Sequence, residues 1–223
     1  MGIKPLVRLA LLAGLFIAIG CHRTDGQTSS ARYGSAQDGP ADPGKESDLK
    51  DADAYAARAY DWLCERKYDR ALKDYDRAIE LNPSRAAFWN ARGFTWHMKG
   101  IEDTDRPMCE DRALSDYAEA IRLEPNYASA INNRAWLRAT SKIDRFRDGK
   151  QAVVEAKRAC ELTGWKNADY LDTLSVAYAE VGDFELAIQW QRKALENPSY
   201  KQEEGSNASK KLALYDKQQP FRE

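Results

Sequence analysis

Histidine is almost missing from this sequence: it stands only at positions 22 and 97. A general acid–base pair or a metal cluster needs more converging groups than that. No glycine-rich phosphate loop occurs, and no serine sits in a glycine elbow. An excess of one charge is missing as well. Lys+Arg number 34 and Asp+Glu 35, for a formal net charge of -1. A nucleic-acid surface would need a clustered basic excess. Glycine (13) and proline (8) are scarce while charged residues reach 31%, which is the composition of a soluble, mainly helical chain. These absences lead to the expectation of no catalytic residues, no cofactor, no metal and no nucleic acid.

The N-terminus departs from the rest. Lys4 and Arg8 form a short basic start, Leu9 to Ile19 is almost wholly apolar, and Ala18-Ile19-Gly20-Cys21 follows. The apolar run is too short for a permanent membrane span and fits the core of a secretory signal. A small residue before a cysteine resembles the lipobox of bacterial lipoproteins, with Ala18 where that family prefers leucine. The resemblance implies cleavage before Cys21 and diacylglycerol on its thiol. Stable anchoring takes more than one acyl chain, and mature lipoproteins carry two or three. His22 stands where an aspartate would favour retention at the inner membrane, so the resemblance implies the outer membrane, facing the periplasm.

Residues 22–50 are rich in Gly, Ser, Asp, Pro and Gln and show no apolar period. Such a segment cannot bury enough surface to offset its ordering entropy. As a flexible coil it would reach roughly 30 Å. The expected organisation is a signal peptide over 1–20, a lipidated cysteine and disordered tether over 21–50, and a folded domain over 51–223.

That domain is internally repetitive. Ala71-Tyr75-Ala78 with Leu81-Asn82-Pro83 returns as Ala113-Tyr117-Ala120 with Leu123-Glu124-Pro125. Looser copies are Ala152-Ala156-Ala159 with Leu162, and Ala187-Gln191-Ala194 with Pro198. Spacings of four and three put each trio on one helical face, where alanine permits close approach. Proline then ends the helix. Upstream lie Tyr55-Ala59-Trp62, Trp89-Gly93-Trp96, Ile131-Ala135-Arg138 and Leu171-Leu174-Ser175-Tyr178. Large, small and large residues at these intervals make the first half of a two-helix repeat. The units 52–85, 86–127, 128–163 and 168–198 resemble tetratricopeptide (TPR) repeats. The implied fold is an all-α solenoid of helix–turn–helix units. Extra residues near Ile101 to Met108 and Lys142 to Arg147 are expected in turns. A capping helix is expected over Glu203 to Gln218, with Leu212, Leu214 and Tyr215 inward and Lys210, Lys211 and Lys217 in water.

Cys64, Cys109 and Cys160 remain after Cys21. Cys160 reads as a small packing residue. Cys64 and Cys109, near the helix turns of adjacent repeats, are a candidate disulfide pair in an oxidising compartment. The TPR resemblance further implies a concave peptide-binding groove lined by the first helix of each pair. One stripe carries Tyr60, Phe94, Trp136 and Val176, and another carries Ala56, Asn90, Asn132 and Asp172, with His97, Asn133 and Glu180 nearby. Asparagine can hold a peptide backbone by paired donor and acceptor groups, and aromatics supply contact area at low entropy cost. The alternative for the aromatic stripe is packing between helices, or cover by the chain's own tether or cap. The functional expectation is a membrane-anchored adaptor or scaffold for protein or peptide partners in the bacterial cell envelope, its oligomeric state open. Two alternatives stand beside it: a thiol-redox or small-ligand protein using Cys64, Cys109 and His97, and a self-associating structural protein.

Overall fold

The computed structural model describes residues 51–102 and 105–223. The signal segment, Cys21 and the tether lie outside the described residues. Nine α-helices and one 3-10 turn make up the described chain. They are α1 (Ala52–Cys64), α2 (Tyr68–Leu81), α3 (Ala86–Glu102), α4 (Arg106–Leu123), α5 (Ala128–Thr140), the 3-10 turn Asp144–Phe146, α6 (Gly149–Leu162), α7 (Ala168–Glu180), α8 (Phe184–Ala194) and α9 (Pro198–Tyr215).

Helix starts are set locally. The Asp51 carboxylate accepts from the Ala54 N–H at 2.8 Å, and Asp148 accepts from Gln151 at 3.0 Å. Asp183 and Asn197 cap α8 and α9 in the same manner. Each satisfies an N–H that the first helical turn leaves unpaired. Pro198 was expected to end a helix, but it opens α9, in the first turn behind the Asn197 cap. Proline is well suited there because the missing N–H would be orphaned anyway.

Each first helix (α1, α3, α5, α7) packs on its own second helix (α2, α4, α6, α8), and each second helix packs on the next first helix. First helices also meet directly, α3 on α5 and α5 on α7, whereas the second helices scarcely touch one another. The predicted small residues lie at the crossings. Ala59 and Ala135 are fully buried. A Cβ on Gly93 would come within 3.0 Å of both the Asp116 Cβ and the Tyr117 ring. Ser175 takes the same place in the fourth pair and donates to the Ala187 carbonyl at 2.8 Å.

A cross-link accompanies each of the first three crossings. Arg58 clamps Asp74 with two bonds of 2.7 Å. Arg92 clamps Asp116 at 2.8 and 2.7 Å, and Arg134 meets Glu155 at 2.8 Å. The arginine precedes the small residue and the acid precedes the partner position of the second helix, so the pair recurs in register. In the fourth unit those two places hold Leu174 and Trp190, and the Trp190 ring stacks on Trp165 with centroids 5.1 Å apart.

The insertions behave differently from each other. The first lengthens helices: α3 runs 17 residues and α4 18, so the expected turn near Ile101 to Met108 is largely helical. The second folds as the 3-10 turn, which buries Phe146 against Leu137, Ala113 and Tyr117. α9 closes the stack, packing on α8 and α7. Tyr200, Ala208 and Tyr215 are its buried apolar residues.

Candidate peptide site on the first-helix face

The expected groove residues fall into two groups. Tyr60 on α1 and Phe94 on α3 are half-buried. Asn90, Asn132, Asn133, Trp136, Asp172 and Val176 are buried, each at most 3% exposed. The two stripes do lie on the first helices, but the α5 and α7 end of that face is covered.

Part of the cover is internal. Asn133 on α5 donates to the Asn90 side chain on α3 at 2.9 Å, entirely inside the protein. The asparagines therefore tie first helices together. The rest comes from the C-terminal segment. Lys211 of α9 places its ammonium 2.5 Å from Asp172 on α7 and 4.9 Å from the centre of the Trp136 ring. Lys211 was expected in water, yet its side chain is 2% exposed. The buried Asp172 carboxylate explains the difference, since a buried charge requires a partner.

After α9 the chain turns back. Gln218 adopts φ +55°, and the Gln219 N–H bonds to the Leu214 carbonyl at 3.0 Å. This is the left-handed helix stop that usually employs glycine. Residues 219–223 then run in non-helical form across the first-helix face. The Phe221 ring tilts against Trp136 with centroids 6.1 Å apart, and Lys211 lies 5.3 Å from the centre of the Phe221 ring. Arg222 pairs with Glu180 of α7 at 3.2 Å. The Glu223 side chain accepts from the Trp136 indole at 2.7 Å. Its backbone N–H donates to the Thr140 carbonyl at 2.9 Å, and its backbone oxygen accepts from Arg106 at 2.7 Å.

Two titratable groups line the end of this run. Burial lowers His97 to about 4, so it is neutral near pH 7, with Nε2 3.7 Å from the Glu223 carboxylate. Burial also pushes the Glu223 carboxyl up, opposed by the Trp136 N–H bond and then by Arg106 and Lys211. The other imidazole nitrogen, Nδ1, is buried with no hydrogen-bond partner among the described residues.

Cys109 on α4 is fully buried. The Cys109 Cβ points at α3, where a Cβ on Gly100 would meet it at 2.9 Å, while Cys64 lies exposed at the end of α1. Cys160 is the buried packing residue expected, and burial raises its thiol to about 12. Reactive thiols are shifted the other way.

Cover of the aromatic stripe by the chain's own cap stands among the sequence alternatives, but nothing in Phe221-Arg222-Glu223 indicates which surface these residues meet. The recurring Arg–acid cross-link was missed, although its register relative to the small residues was present in the sequence.

Comparison with known proteins follows this geometry. The family model described as tetratricopeptide repeat matches residues 52–85 and again residues 168–198. No curated protein matches the chain. Among solved structures, TTC0263, described as a thermophilic TPR protein of Thermus thermophilus, superposes with a TM-score of 0.64 at 19% identity, covering 76% of this chain and 85% of that one. At that identity the likeness speaks to fold. The first and last of the four predicted units are thus matched as tetratricopeptide repeats, the helices between them stack in the same alternating order, and the chain has the all-α fold of a tetratricopeptide-repeat solenoid.

Proposed function

We propose that this chain is a non-enzymatic, membrane-tethered adaptor of the bacterial cell envelope. TPR repeats indicate a protein–protein interaction scaffold; the anchor and the location are the further step. Support for the anchor is the N-terminal pattern ending in Gly20-Cys21, where two or three acyl chains on one cysteine would give a lasting hold. The tether over 22–50 would let the repeat domain reorient above an outer membrane, within the periplasm. The partner site is the concave first-helix face. Its α1–α3 end presents Tyr60 and Phe94, and the observation that carries the reading is that these two rings stay half-buried while the rest of the face is already filled by protein. Half-buried aromatics beside fixed polar groups are the usual anchors of an interface.

The thiol-redox alternative, placed on Cys64, Cys109 and His97, finds no support in the full burial of Cys109 and His97. Two measurements test the main reading. Labelled palmitate should enter the full chain and be lost in Cys21→Ala. A photo-crosslinking residue at Tyr60 should capture an envelope protein that the same residue at Val154, 60% exposed on α6, does not. Soluble, unlabelled full chain removes the anchor from the proposal. Adducts from Val154 alone would move the partner to the other side of the stack.

A further inference from the structure

The tail of this chain is seated as a ligand would be. Residues 219–223 form no regular element, yet each of the last three finds a matched receptor. Phe221 meets a Trp136 ring that is itself fully buried. Arg222 meets the Glu180 carboxylate. Glu223 meets the Trp136 N–H through its side chain and Arg106 and Thr140 through its backbone. Receptor groups come from α4, α5 and α7, one helix from each of three successive repeats, with Lys211 of α9 beside the ring, so the site is assembled mainly by the stack. α9 keeps its own attachment through Lys211–Asp172 and through Tyr200 and Tyr215. The tail can therefore leave without undocking the cap, as expected for a segment held mostly by side-chain contacts. Arg222, at 41% exposure, marks the edge from which it would peel.

We propose that the α5–α7 end of the first-helix face is a docking site for an extended partner segment carrying an aromatic residue, a cation and a carboxylate in succession, and that residues 219–223 occupy it as an internal placeholder until such a segment displaces them. This rests on the first-helix face being the partner-binding face. The receptor chemistry sets the order: a ring slot over Trp136 and Lys211, an anionic edge at Glu180, and donors from Trp136 and Arg106 at the end. The tail thus shows the chemistry the partner must present. A tethered competitor acts at an effective concentration in the millimolar range for a short link, so an external segment must overcome that before it binds.

The test uses an acetylated, amidated and fluorescently labelled peptide with the sequence of Gln218 to Glu223. Its binding is measured by polarisation to the full chain and to the full chain carrying Phe221→Ala, Arg222→Ala and Glu223→Ala together. The expected result is binding at least about tenfold tighter to the triple variant, because the internal competitor is gone. A control peptide with alanine in place of its phenylalanine should lose about tenfold or more. Equal affinity for both chains overturns the proposal, as does no binding by a triple variant whose melting curve matches the parent. Should the variant not fold, amide exchange on the unaltered chain decides. The Glu223 amide must exchange much faster than the amides of α5, through a local opening, and faster again with excess peptide. Exchange at the rate of α5 makes the tail a fixed structural part and ends the idea. Peptide binding without Tyr60 crosslinks would sink the adaptor reading and leave this site standing; crosslinks without peptide binding would do the reverse.

Discussion

Lys211 of α9 and Asp172 of α7 hold each other at 2.5 Å with side chains only 2% and 3% exposed. The cap is thus fastened to the last repeat by one desolvated ion pair, and the same ammonium faces Trp136 and Phe221. Breaking a buried pair from one side leaves an uncompensated charge, at about 3–5 kcal/mol. Lys211→Met should therefore lower stability by that order in urea unfolding. Lys211→Met with Asp172→Asn should recover a large part of the loss. Equal losses in the single and double variants would deny the coupling.

The recurrent cross-links make a second prediction. Arg92 reaches two acids: Asp116, whose side chain is 5% exposed, and Asp76, at 55%. Asp116→Ala should cost about 2–3 kcal/mol, below the full figure for a buried pair because Arg92 is partly solvated. Asp76→Ala should cost under about 0.5 kcal/mol. Denaturant midpoints in one background compare them, and a reversed order would refute the assignment of the buried pair as the structural one.

Two helical glycines should respond with opposite sign. On Gly100 a Cβ would stand 2.9 Å from the Cys109 Cβ, an atom close to the backbone that cannot swing away. Gly100→Ala should lose about 1–2 kcal/mol net, overpacking outweighing the gain in helix propensity. On Gly205 in α9 a Cβ would meet Lys201 Cγ at an ordinary 3.8 Å. Gly205→Ala should gain about 0.5–1 kcal/mol. Thermal melts of both variants check the pair.

Glu204 on α9 supplies a pH dependence. It is 8% exposed, and burial pushes its carboxyl up to about 7, with Asp172 and Asp169 adding to the shift against Asn207 and Lys211. A raised carboxyl pKa means that the folded chain binds the proton more tightly than the unfolded one. Its contribution is therefore intact at pH 4 and is lost as pH rises towards 7. Glu204→Gln should leave stability unchanged near pH 4 and raise it by on the order of 1–2 kcal/mol at pH 8. A gain that is the same at both pH values would contradict the shift.

Thiol accessibility gives a last prediction. Cys109 and Cys160 are both fully buried, and the Cys160 thiol is raised to about 12. Cys160 should not react with a maleimide at pH 7 in the folded chain and should react in concentrated urea. Rapid labelling of Cys160 without denaturant would contradict its place in the core.

The repeat architecture was legible because its signal is local and repeated. Ala59, Gly93, Ala135 and Ser175 stand at helical spacing from larger residues, and a helix crossing admits little else at such points. Lys211 was not legible. A lysine between Lys210 and Leu212 reads as solvated unless the facing Asp172 is known, and the two lie on different elements. The groove residues were assigned to the right helices, yet Trp136 and Asn133 could not be told from open ligand contacts. Whether a first-helix side chain meets solvent, a neighbouring helix or the tail depends on pieces distant in the chain.

By itself the amino-acid order determined the helices, their pairing and the small residues at their crossings, since these follow from periodicity, capping and volume over a few turns. Only the tertiary structure decided that α9 docks through Lys211 and that Phe221, Arg222 and Glu223 close one end of the first-helix face. Those contacts join positions as far apart as Arg106 and Glu223. Their free energy comes from desolvation and pairing of groups that no local pattern brings together.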